Sequence, residues 1–145
     1  MEPTRLGIIF DTSVIIAGER GEVSVPEFIR HLTEVYGDDI GAVSSISVVE
    51  LTHGLYRAKS PGNFSRRQRF SDDLFKSLPV LPLTREVAFL AGRIQGEQAA
   101  NGVSIDLGDL LIGATAIFMG YGLATLNEKH FSQIPGLTIV ASGRS

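Results

Sequence analysis

A single carboxylate interrupts a strongly apolar run near the start of the chain: residues 8–16 read IIFDTSVII. Seven of these nine are apolar or β-branched. A run without polar alternation belongs to a strand buried on both faces, and such strands occur in parallel sheets covered by helices. The rest of the sequence alternates to match. LGIIF (6–10), IGAVS (40–44), PVLPL (79–83), residues 122–126 and LTIVA (137–141) read as five strands. The third is bounded by prolines and is expected at an edge. VPEFIRHLTEVY (25–36) places Val25, Phe28, Ile29, Leu32 and Tyr36 at helical spacing, with Pro26 in the first turn. A second helix, capped by Ser45 or Ser47, carries Val48, Val49, Leu51, Leu55 and Tyr56. After a break at SPGNFS (60–65), residues 65–77 turn Phe70 and Leu74 inward. Thr84 opens a helix that runs to Ala100 and stops at Asn101-Gly102. Residues 106–119 form another, and 128–133 a helical turn. The sheet is therefore expected to be mostly parallel, five-stranded and flanked by helices, in one domain spanning residues 1–145.

The composition, 43% hydrophobic and 20% charged, is that of a globular chain. A formal net charge of −3 argues against wholesale attraction to nucleic acid and leaves room for a local basic patch. The absence of Cys excludes disulfides and thiolate metal sites and is compatible with the cytoplasm, the expected location. MEPTR is polar and Asp11 breaks the run after it, so no signal peptide is expected. LLIGATAIFMGYGLA (110–124) is shorter than the roughly 20 residues of a membrane span and contains three glycines; it reads as a buried helix entering a strand.

In an open α/β sheet, ligands bind beyond the C-terminal ends of the strands. Asp11 follows the first strand, and Glu50 lies in the helix after the second. Asp106 and Asp109 start the helix that feeds the fourth strand, which Asn127 and Glu128 follow. Two readings stand side by side. Asp11 with Thr12 and Ser13 is N-cap chemistry, Asp109 is a favourable first-turn acid, and a lone helical Glu50 is usually solvated. Taken together, the acids share one end of the sheet, where crowding raises their pKa values. A hard divalent cation relieves that crowding, and oxygen-only ligands favour Mg²⁺ or Mn²⁺. Such an ion suits phosphodiester chemistry.

These residues resemble the PIN-domain family, in particular the VapC-type toxins of toxin–antitoxin pairs. FDTSVIIA (10–17) is similar to the first family motif, and ISVVELTHGL (46–55), with Glu50 followed by Gly54, to the second. VSIDLGDLLIGATAIFMGYGLATLNEKHF (103–131) resembles the third and fourth, and IPGLTIV (134–140) the closing strand. The resemblance implies a three-layer α/β sandwich and a Mg²⁺- or Mn²⁺-dependent endoribonuclease; water activated by an ion on such an oxygen cluster is expected to leave a 5′-phosphate and a 3′-hydroxyl. It further implies a homodimer and a cognate antitoxin. By position, Asp11, Glu50 and Asp109 match the metal-binding acids. Asn127 stands where the family often has Asp, so the catalytic set becomes Asp11, Glu50, Asp109 and Asn127. Thr125 and Glu128 are candidates to complete it, Asp106 is second to Asp109, and Ser13 either contacts ion or phosphate or serves as a cap.

The stretch RAKSPGNFSRRQR (57–69) holds Arg57, Lys59, Arg66, Arg67 and Arg69 and no acid. It follows the Glu50 helix and is a candidate RNA-binding surface; the alternative is a solvated helix face. Phe28, Leu32, Leu51 and Leu55 either line a groove for the antitoxin or face the chain's own core. Gly113, Ala114 and Ala116 permit close helix approach, inside the fold or across a dimer. His31, His53 and His130 are read as surface or packing residues rather than a metal-free acid–base set. Other classes fit less well. A phosphatase of the haloacid-dehalogenase type needs a second Asp at the position of Ser13, and no G-x-G-x-x-G follows the first strand. A PIN-type RNA-processing nuclease without an antitoxin, or a non-catalytic RNA- or protein-binding module, remains as an alternative.

Overall fold

The computed structural model describes residues 5–142. Most of MEPTR, on which the expectation about a signal peptide partly rests, lies outside them. The chain runs β1 (Gly7–Phe10), α1 (Thr12–Arg20), α2 (Val25–Tyr36), β2 (Gly41–Ser44), α3 (Ser45–Leu55), α4 (Pro61–Ser77), β3 (Val80–Leu81), α5 (Arg85–Ala100), α6 (Leu107–Met119), β4 (Tyr121–Ala124) and α7 (Glu128–Phe131). The sheet is parallel throughout, in the order β3-β2-β1-β4. Ile8 pairs with Gly41 on one side of β1, and Phe10 with Ala124 on the other.

The two central strands explain the apolar runs. Every residue of β1 is buried. Ile8 and Phe10 enter one core layer with Val14, Phe28, Leu32, Phe70 and Leu74, from α1, α2 and α4. Ile9 enters the other with Val87, Ile94, Leu110, Ile112 and Phe131, from α5, α6 and α7. The three-layer sandwich thus follows from period-two alternation within one wholly apolar strand. Phe28 and Leu32 are core residues at 3% exposure, and Leu55 is buried, so the groove reading fails for them. A Cβ at Gly113 would sit 2.7 Å from Ile134 Cδ1, which assigns its close approach to the fold itself.

Several boundaries differ from expectation. Among the described residues the sheet has four strands, not five. Residues 137–141 contribute one parallel bridge, Leu123 to Ile139, fixed by two backbone hydrogen bonds at Leu123. The run 8–16 is not a continuous strand: Asp11 ends β1, and Val14 and Ile15 are buried from helix α1 instead. Ser44, rather than Ser45 or Ser47, caps α3. Helix α4 begins at Pro61, capped by Ser60, so the Pro read as a break occupies the first helical turn, where its missing N–H costs nothing. β3 lies at the sheet edge, as its prolines require. Among the described residues, no helix is long and apolar enough to cross a membrane.

Candidate active site

A parallel sheet points the C-terminal ends of β1, β2 and β4 the same way, so Asp11, the start of α3, and Thr125 meet at one edge. Asp11 is 3% exposed, and it does cap α1. Its Oδ2 accepts from Ser13 N at 3.4 Å, from Ser13 Oγ at 2.7 Å and from Thr125 Oγ1 at 2.8 Å. Ser13 Oγ in turn accepts from Leu126 N, and Thr125 Oγ1 from Asn127 N. The cap and the site are therefore one structure. Three bonds converge on one carboxylate oxygen and hold it against the β4–α7 loop, while Oδ1 takes none of them.

Glu50 is held by a second hydroxyl chain. Thr12 Oγ1 donates to Glu50 Oε1 at 2.6 Å and stands 2.8 Å from Ser47 Oγ. A hydroxyl has one hydrogen, so Ser47, wholly buried, is the donor to Thr12. Asp106 caps α6, accepting from Asp109 N at 3.2 Å. Between them lies Gly108, where a Cβ would come 3.0 Å from Glu50 Oε2 and 3.2 Å from Asp106 Oδ1. The glycine lets the first turn of α6 lie against the Glu50 carboxylate.

Asp109 registers the crowding. Partial burial, with Asp106, Asp11 and Glu50 adding to it and His130 opposing, pushes its carboxyl up to about 6. His130 Nδ1 is 3.9 Å from Asp109 Oδ2 on an exposed side chain. Asn127 is exposed at the start of α7 and its side chain caps nothing. Glu128 is exposed, and after burial it is the group that raises the Tyr36 hydroxyl pKa. Among the described residues, no three His, Cys, Asp or Glu side chains form a direct metal-holding group. Asp11, Glu50 and Asp109 thus share one field without forming a direct ligand group among the described residues.

The basic stretch divides. Arg66 and Arg67 reach back to Glu19 near the end of α1, at 3.2 and 3.4 Å from its Oε1. Arg66 also donates to Glu19 O, and Arg67 to Gly54 O. Arg57, Lys59 and Arg69 are exposed. A cleft of about 230 Å³ opens beside Glu50, lined by Glu19, Arg20, Gly54, Arg57 and Arg67. Sequence reasoning read Thr12 and Ser47 only as capping residues and passed over Glu19. Ser47 sits three residues before Glu50, on the same helical face, and was the available signal for its role.

The family description "PIN domain" matches residues 8–137. The chain belongs to the PIN-domain family. Relatives of this chain include VapC proteins. Ribonuclease VapC1 of Rickettsia felis is 34% identical over 93% of this chain and 96% of its own length. Ribonuclease VapC10 of Mycobacterium tuberculosis is 35% identical over 86% of this chain and 85% of its own. In fold, this PIN domain resembles the structure of VapBC2 from Rickettsia felis bound to a promoter DNA fragment, with a TM-score of 0.78 at 24% identity, over 93% of this chain and 98% of the other.

Proposed function

We propose that this PIN domain is a divalent-metal-dependent endoribonuclease and the toxin of a toxin–antitoxin pair. The relatives named ribonucleases support the reaction class, and the structural likeness to a VapBC complex supports an antitoxin as partner. One observation carries the metal assignment: partial burial, and after it the neighbouring Asp106, Asp11 and Glu50, push the half-buried Asp109 carboxyl toward neutrality. A site that strains to ionise its acids gains most from a cation.

The donors fit Mg²⁺ or Mn²⁺ in kind, since all are oxygens and the chain has no Cys. Asp11, Glu50 and Asp109 would hold the ion, directly or through water, with Asp106 in reserve and Asn127 adding an oxygen without charge. When bound, it supplies activation of water and neutralisation of charge on the phosphodiester. The chain's own residues prepare for this. Ser13 and Thr125 fix one oxygen of Asp11, while Thr12, oriented by Ser47, fixes one oxygen of Glu50. Asp109 is ionised at neutral pH and protonated well below its value of about 6. The products would be a 5′-phosphate and a 3′-hydroxyl.

Calorimetric titration with Mn²⁺ tests the site independently of turnover: binding is expected in the parent and lost in Asp11→Asn. RNA cleavage is expected to stop in that variant and in EDTA, with the circular dichroism spectrum unchanged. Cleavage that survives EDTA sinks the metal assignment. RNA binding with neither metal binding nor cleavage would leave a non-catalytic module.

A further inference from the structure

Resting on that ribonuclease reading, we infer that Glu19 is a positioning residue that sets Arg67, with Arg20 and Arg57, to hold a second phosphate of the RNA strand in the cleft beside Glu50. Glu19 lies at the opposite end of α1 from Asp11, and it is 8% exposed. A carboxylate near a helix C-terminus opposes the helix dipole. Two guanidiniums from α4 meet this one, and Arg66 commits further by donating to Glu19 O. Arg67 is committed less completely: its Nε is buried and faces Glu19 without a hydrogen bond, and its Nη1 donates to Gly54 O at 3.4 Å. Arg67 keeps donor capacity for a ligand and is held at the cleft wall.

Three observations point that capacity toward RNA. The cleft is continuous with the acid site, because Glu50 lines it. Its lining is net positive in a chain of net charge −3: Arg20, Arg57 and Arg67 line it against two acids, Glu19 and Glu50, and Arg66 backs it from Glu19. Gly54 also lines it, and a Cβ there would meet nothing within 4 Å. Internal packing therefore does not call for glycine in this helix, where it costs about 1 kcal/mol relative to Ala. A bare wall beside arginines suits close approach of a sugar–phosphate backbone.

The test uses the full chain carrying Asp11→Asn, with a labelled single-stranded oligoribonucleotide followed by fluorescence anisotropy over a range of KCl. Arg20→Ala and Arg57→Ala are each expected to flatten the slope of log K against log[salt] by about 0.7. Glu19→Gln is the sharper probe. Removing a negative charge would by simple attraction tighten RNA binding; loss of positioning weakens it, and at least a threefold loss is expected. In the cleaving chain the same change should raise KM while kcat holds. Gly54→Leu, whose Cβ has open space, should lower affinity without lowering Tm, and it decides the matter if Glu19→Gln does not fold. Equal or tighter binding by Glu19→Gln, or unchanged salt slopes, overturns the inference while leaving cleavage by the parent intact. A glutamate-rich peptide that binds through the same arginines, where the oligonucleotide does not, overturns it too and gives the cleft to a protein segment. Absence of cleavage by the parent is a separate result and strikes the ribonuclease reading instead.

Discussion

Thr12 links the two ends of the candidate site, since it sits beside Asp11 in sequence and its hydroxyl donates to Glu50 from another element. Replacing it with Val keeps the shape and leaves the Glu50 carboxylate without that donor. Because supporting hydrogen bonds orient metal-holding carboxylates, Thr12→Val is expected to lower Mn²⁺ affinity about tenfold by calorimetry, with little change in fold. Asp109 gives a pH prediction. Its folded-state value of about 6 exceeds the ordinary 3.8, so the folded chain binds this proton more tightly than the unfolded chain does. The stability that this group contributes is full below 3.8 and is lost as pH rises through about 6. Metal-free protein should therefore gain stability from this group as pH falls from 7 toward 5, while Mn²⁺ affinity falls over the same range. Asp109→Asn should remove that dependence, raise the metal-free Tm at pH 7 and abolish cleavage. Scanning calorimetry at pH 5 and 7 checks the sign. The acids themselves were legible in the sequence from their places after strands and at helix starts. The hydroxyls that hold them were not, because a serine or threonine pairing across 35 to 38 residues leaves no local signature.

At the scale of elements, end chemistry settles what periodicity leaves ambiguous. The run IIFDTSVII carries no helical or strand period that tells its two halves apart. Asp11, extended at φ −64° and ψ 155°, accepts from Ser13 N and turns the chain into α1. Serines do the same for α2, α3 and α4, each accepting from an N–H of its helix. Ser60 lies away from the acids, so Ser60→Ala should cost about 1 kcal/mol in urea unfolding and leave cleavage untouched. The closing segment shows the limit of strand reading. LTIVA has strand composition, yet it pairs only around Leu123. Composition records that a segment is apolar and extended; the length of a ladder depends on how long the neighbouring edge remains beside it. The basic stretch teaches the same lesson. Its charges were visible, but the inward turn of Arg66 and Arg67 depends on Glu19, 47 residues from Arg66.

For the molecule as a whole, two core layers back one sheet, and each anchors a different wall of the site. Phe131 is wholly buried in the layer formed with α5 and α6, and it secures α7 below the Asn127 loop. Phe131→Ala should cost about 3–5 kcal/mol in urea unfolding, and residual cleavage should fall with the loop's order. The sequence by itself determined the alternation of strand and helix, the parallel sheet and the side of it on which the acids gather. Those follow from local periodicity, from end-capping residues and from the geometry of parallel crossovers. Only the tertiary structure decided that the sheet stops at four strands among the described residues, that Thr12 and Ser47 support Glu50, and that two arginines close on Glu19. Each of these depends on which side chains meet when distant elements pack, and a contact between residues far apart in the chain has no period for a sequence to display.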